Sequence, residues 1–186
     1  MQLVEWAEST AEQFLKDSLP RRWAHVQSVA GRAGRLVSHL GRDGEILHAT
    51  AWLHDVGYAP PLAVTGFHPL DGAHYLQTVD VPARVVDLVA LHSSAAAEAS
   101  ALDLDEEMAG FVDERTLTRD LLWFVDMTIG PDGQCMDFEA RMDDVRARYV
   151  PDHYVIRALD AGMAERRAAM ARASEWIDSV GIADQV

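Results

Sequence analysis

Apolar residues recur along this chain at three- and four-residue spacing and almost never alternate with period two, so the pattern predicts helices throughout and, with them, an all-α helical bundle. A first helix is expected from about Val4 to Lys16, broken by Ser18 to Pro20. A second carries Val26, Val29, Ala33, Leu36, Val37 and Leu40 on one face and ends at Gly41 to Gly44. A third, through Ile46, Leu47, Ala51 and Leu53, should stop at Gly57, because neither that glycine nor Pro60-Pro61 carries a helix further. A loop to about Phe67 follows. Short helices then fit Pro69 to Thr78 and Pro82 to His92, each proline suiting a first turn. The acidic, alanine-rich stretch from Ser93 to Ala109 reads as a connector and as the best place for a mobile flap. Leu117, Leu121, Leu122 and Val125 begin another helix that breaks near Gly130-Pro131, and two more run from about Asp137 to Tyr149 and Asp152 to Val180. Nothing in the pattern divides the chain, so one domain over residues 1–186 is expected, with its chemistry concentrated between about 21 and 148.

Composition adds bounds on partners. The 186 residues are 49% hydrophobic, enough for one sizeable core. Thirty acidic residues against sixteen basic ones give a formal charge of -14, which repels polyanions and argues against nucleic acid polymers. A small anion stays compatible, because a metal ion or a few arginines inverts the field inside a cleft. A homo-oligomer is equally compatible. Cys135 is the single cysteine, so there is neither a disulfide framework nor a thiolate cluster, and it reads as a small interior or loop residue. Glu5, Glu8 and Glu12 do not suit a secretory signal, and no stretch reaches the roughly 20 apolar residues of a membrane span. A cytoplasmic protein without membrane contact is the expectation.

The chemistry lies in the histidines and aspartates on apolar helix faces. His25 shares a face with Val29 and Leu36, and His54 and Asp55 end an apolar helix. His92 follows Val85 and Leu88, and Asp126 lies beside Leu122 and Ile129. An uncompensated buried carboxylate or imidazole costs roughly several kcal/mol. A shared metal ion supplies the compensation, and imidazole with carboxylate suits Fe, Mn, Zn, Co or Ni. His39, His48, His74 and His153 read instead as hydrogen-bonded core or surface residues. His48 shares the Asp55 face but lies about 10 Å away along the axis, too far to be more than a supporting residue.

Taken in order, His25, "AWLHDVGYAP" with His54 and Asp55, "FHPLDGA" with His68, "LVALHSSA" with His92, and "WFVDMTIGPDG" with Asp126 resemble the HD-domain superfamily of metal-dependent phosphohydrolases over about Arg21 to Arg148. The resemblance implies an HD-type helical bundle with a minimal site of His25, His54, Asp55 and Asp126. His68 and His92 stand where members holding two metals carry two further histidines. It therefore implies one or two divalent ions (Fe, Mn, Zn, Co, Ni or Mg), with Asp55 bridging two of them and a hydroxide between them as nucleophile. The implied substrate is a small phosphate compound, most naturally a nucleotide.

Arg22, one turn before His25, would clamp a substrate phosphate or remain a solvated helix-start arginine. Asp71, on the His68 face, would give a proton to the leaving oxygen, orient an imidazole or sit on the surface. Arg141 reads chiefly as structural. Two other functions use the same scaffold: a diiron oxygenase, and a binding module that turns nothing over.

Overall fold

In the computed structural model, which describes residues 2–185, α1 (Leu3–Leu15), α2 (Pro20–Leu36) and α3 (Arg42–Leu53) form the first half of the bundle. The short helices α4 (His68–Gln77), α5 (Ala83–Ala90), α6 (Ala95–Ala101) and α7 (Asp105–Met108) follow. Then come α8 (Leu117–Met127), α9 (Phe138–Arg146) and the long α10 (Tyr154–Ser179). The fold is all-α; among the described residues an isolated bridge between Ile129 and Cys135 is the sole β pairing.

Local chemistry starts these helices. Pro20 occupies the first turn of α2, where its missing N–H costs no hydrogen bond. The Asp137 carboxylate accepts from the Glu139 and Ala140 amides and so opens α9. Leu47, Ala49, Thr50, Ala51, Trp52 and Leu53 of α3 are all buried, so this helix is covered on nearly every face and has to lie inside. It packs against α1, α2, α5 and α8, while α10 lies across α6 and α8 and closes the other side. One cluster of buried apolar side chains runs from Ala7 to Ile182.

Two differences from the sequence expectation bear on function. α3 ends at Leu53 rather than running to Gly57, and Val56–Tyr58 form a tight 3-10 turn. The cause is close packing: a Cβ on Gly57 would lie 2.1 Å from the His68 carbonyl oxygen and 2.4 Å from the Gly72 amide nitrogen, so the chain must leave the helical path to meet α4. The Ser93–Ala109 stretch, expected as a flap, is folded into α6 and α7. Ser94, Ala95, Ala99 and Met108 are buried, and α6 lies against α10, because its alanines let the two backbones approach. Cys135 lies in the loop after α8 and is exposed.

A charge network ties α8 to α10. Arg119 is almost fully buried, stacks on Trp123, and pairs with Asp113, Asp120 and Glu165. Arg172 provides Asp120 with a second guanidinium at 2.6 Å. Breaking a buried pair costs about 3 to 5 kcal/mol when the remaining charge is stranded. Here Asp120 keeps Arg172 and the other two carboxylates reach solvent, so Arg119→Met should cost less, about 2 kcal/mol. Urea unfolding of the variant checks this, with an unchanged slope and a lower midpoint expected.

Candidate metal centre

α2, α8, the C-terminal end of α3, the start of α4 and the turn after α5 meet at one point. Each delivers a side chain there. His25 comes from α2, His54 and Asp55 from the end of α3, His68 from the first position of α4, His92 from just beyond α5, and Asp126 from α8. His25, His54, Asp55 and His92 are buried to 3% exposure or less.

The imidazoles are oriented by backbone carbonyls. His25 Nδ1 lies 3.0 Å from the Gly130 oxygen, His54 Nδ1 2.8 Å from that of Ala51, and His92 Nδ1 2.6 Å from that of Val89. A carbonyl only accepts, so Nδ1 carries the hydrogen in each ring and Nε2 is left facing the centre. His54 and His92 both use the carbonyl three residues earlier, one of the oxygens that a helix end leaves without an intrahelical partner.

The inward atoms form two groups, His25 with His54 and Asp126, and Asp55 with His68 and His92. Within the first, His25 Nε2 is 3.0 Å from Asp126 Oδ1, His54 Nε2 is 3.4 Å from His25 Nε2, and His54 Nε2 is 3.6 Å from Asp126 Oδ1. Within the second, His68 Nε2 is 3.2 Å from both Asp55 Oδ1 and His92 Nε2, and His92 Nε2 is 3.9 Å from Asp55 Oδ1. Ligands held about 2.1 Å from a common ion stand about 3.0 to 3.4 Å from one another; four of the six spacings lie in that range and the other two, 3.6 and 3.9 Å, are slightly wider, so each group is close to a metal-ligating arrangement. Facing Nε2 lone pairs at this separation repel unless a proton or cation lies between them. The donor set thus fits divalent metal, on distances and on ligand chemistry alike.

Asp55 connects the groups. Its Oδ2 is 3.3 Å from His54 Nε2 and 3.6 Å from His25 Nε2, while its Oδ1 faces His68 and His92. Arg22 donates to Oδ2 from Nη1 at 2.6 Å. Burial opposes the charge of Asp55, but Arg22, His54 and His68 outweigh it and hold the carboxyl well below its usual range. Asp126 is depressed in the same way by His25 and His54. For His54, burial is overcome by Asp55 and Asp126 and the pKa rises to about 10, whereas burial beside His68 and His54 takes His92 down to about 4.

A cation entering this centre therefore displaces the His54 proton. Since the folded pKa of His54 lies above the ordinary 6.5, that proton stabilises the metal-free protein below about pH 6.5, and its contribution is lost as pH approaches 10. Metal binding has the opposite slope. Apparent metal affinity should rise about tenfold per pH unit between roughly 7 and 9, with one proton released per centre, as calorimetry in buffers of different ionisation enthalpy would read.

Three side chains around the centre carried no signal in the helical pattern. Tyr58 stacks on His68 with ring centroids 3.8 Å apart, and the Arg22 guanidinium lies 4.2 Å from the centroid of the Tyr58 ring, so the stack fixes the His68 plane. Ser93 donates a short hydrogen bond from Oγ to Asp126 Oδ2. It can do so because Ser93 and Ser94 both adopt left-handed backbone, with φ of 51° and 64°. Glu98 of α6 lines the adjoining cavity.

Asp71 is not brought to the centre. Its carboxylate is buried and accepts from the Thr65 amide and hydroxyl and from the Gly66 amide, which anchors the loop before α4, so it is not a surface carboxylate. Arg141 lines the cavity but pairs with Asp144 on its own helix. His39 and His74 are exposed, His153 caps α10 and His48 stacks on Trp52, all away from the centre.

A family description, "HD domain", matches residues 22–142, which include all six ligand candidates. No curated protein and no solved structure matches the chain. Among the described residues no helix is long and apolar enough to cross a membrane.

Proposed function

The chain belongs to the HD domain family, a superfamily of metal-dependent hydrolases, and on that premise we propose that it is a phosphohydrolase with a two-metal centre that cleaves a phosphate ester or anhydride. The observation that carries this reading is Asp55, whose two oxygens face different groups of ligands. His25, His54 and Asp126 would hold one divalent ion together with Asp55 Oδ2. His68 and His92 would hold a second with Asp55 Oδ1. Bound there, divalent ions polarise phosphoryl oxygens and bring the pKa of a coordinated water towards neutrality.

The chain's own residues position the rest. Gly130, Ala51 and Val89 fix the imidazoles through their carbonyls, Ser93 holds Asp126, and the Tyr58 stack holds His68. Arg22 reaches both Asp55 and the cavity, so it can take a phosphate oxygen through a charge-assisted hydrogen bond once a cation shares the carboxylate. Burial of the ligands keeps bulk water from competing, which strengthens every electrostatic interaction inside. No serine or cysteine nucleophile is needed.

Elemental analysis of the purified protein, followed by a phosphatase and phosphodiesterase screen with added Mn, Fe, Co, Ni and Mg, tests the reading. Phosphate release that a chelator abolishes is the expected result, with nucleotides and smaller phosphate compounds both in the panel. Oxygen uptake in its place would assign oxidative chemistry, and bound metal with no turnover would assign a binding role. His68→Ala should lower metal content from two equivalents to one and leave the His25, His54 and Asp126 group loaded. Turnover should fall by about a hundredfold, as one of the two ions is lost.

A further inference from the structure

Beside the centre lies a cavity of about 170 Å3, whose far wall is formed by side chains of α9 and α10 such as Met142, Val155 and Leu159. Arg166 of α10 lines it too, and only 6% of this residue is exposed. Its Nε donates to the Ser93 carbonyl at 3.1 Å and its Nη1 to the Leu159 carbonyl at 2.9 Å. Among the described residues no carboxylate comes within ion-pair distance of it, unlike the buried Arg119 with its three acidic partners. A buried guanidinium held by carbonyls carries a desolvation cost, which Glu98 and Asp126, both beyond ion-pair distance, offset only in part. Burial accordingly pulls its pKa down to about 10, against a smaller opposing effect of Glu98.

The site is built from two turns of α10. A Cβ on Gly162 would lie 2.6 Å from Arg166 Nη1 and 2.5 Å from Ser94 Oγ, so the missing side chain lets the guanidinium lie along the helix and the Ser93-Ser94 turn press against it. That same turn places Ser93 Oγ on Asp126. Arg166 is thus one residue removed from the metal ligands, yet it lies beyond the 22–142 stretch that matches the family and is a feature of this chain's own last helix.

We propose that Arg166 recognises a second anionic group, carboxylate or phosphate, on a compact substrate whose first phosphate lies at the metal centre. This rests on the hydrolase reading and narrows its substrate class. Arg166 lines the same cavity as Asp55 and His68, and its volume of about 170 Å3 suits a short span between the two anionic groups. Arg22, beside Asp55, serves the reacting phosphate, and Arg166, from α10, serves the other end.

Calorimetry on the full-length, manganese-loaded protein tests this with non-hydrolysable probes. 3-Phosphonopropionate should bind about ten- to a hundredfold more tightly than propylphosphonate, which has the same length and no carboxylate. Ethane-1,2-diphosphonate in place of 3-phosphonopropionate tells whether the second group is phosphate-like. Arg166→Gln should bring the ratio of the two affinities close to one with metal content unchanged, and Arg166→Lys should keep part of the preference. Equal binding of the two probes by the wild type, tighter binding of adenosine monophosphate than of either, or a ratio that survives Arg166→Gln would overturn the assignment. So would loss of metal or of both affinities together in the variants, since that would make Arg166 a support for the Ser93 turn. Turnover of phosphate esters without the preference would leave the hydrolase reading standing and remove this one; the preference without turnover would do the reverse.

Discussion

Asp55→Ala should take metal content below one equivalent and lower kcat/KM on any phosphate substrate by about a thousandfold or more, equivalent to about 4 kcal/mol of lost transition-state stabilisation. The size follows from position. Every other ligand candidate belongs to one group, whereas the two oxygens of Asp55 face His25 and His54 on one side and His68 and His92 on the other. Removing them also frees Arg22, whose guanidinium would then oppose a cation without a carboxylate between the two. Asp55→Asn keeps the shape and one acceptor but loses the charge, so it should retain part of the metal and little of the rate. Elemental analysis beside steady-state kinetics reads both. Full metal and full activity in Asp55→Ala would remove the proposed mechanism.

Gly57→Ala should have the largest effect on the fold. The added Cβ would meet the His68 carbonyl oxygen at 2.1 Å and the Gly72 amide nitrogen at 2.4 Å, and both are backbone atoms that cannot rotate away. α4 would have to withdraw, at a cost of about 3 kcal/mol or more. For a chain of this size that lowers Tm by roughly 6 to 12 °C. Because His68 opens α4, its Nε2 would leave the 3.2 Å contact with Asp55 Oδ1, and the Asp55, His68 and His92 group should lose its ion first. Gly72→Ala is the control. Its Cβ would sit 3.2 to 3.4 Å from Gly57 and from two valine methyl groups, so small shifts absorb it at about 1 kcal/mol. Thermal melts of both variants, with metal analysis, separate the two cases.

Much of this protein is legible in its residues. Periodicity of three and four places every helix from α1 to α5 and from α8 to α10 within a few positions, because an amphipathic helix writes its buried face directly into the sequence. Histidines and aspartates on apolar faces give the ligand candidates, because a buried ionisable group needs a partner and this chain has no thiolates to supply another kind of metal site. Their order along the chain yields the family.

What periodicity does not carry is which distant faces converge, and on which atoms. α3 ends at Leu53, short of Gly57, because Gly57 meets α4, an element that local periodicity does not place beside it. Ser93-Ala109 reads as a connector by composition, yet α10 covers it and turns Ser93 towards Asp126. Asp71 shares a helical face with His68 but spends its oxygens on the preceding loop. Tyr58 and Arg166 acquire meaning only from what lies across the bundle. The sequence by itself determined the helices other than α6 and α7, the chemical types at the centre and the family; the tertiary structure decided that Asp55 faces two ligand groups and that Arg166 lies at the cavity wall with no carboxylate in ion-pair distance. The reason is that face polarity is a local property of a helix, while a distance between side chains depends on how close packing lets separate backbones approach.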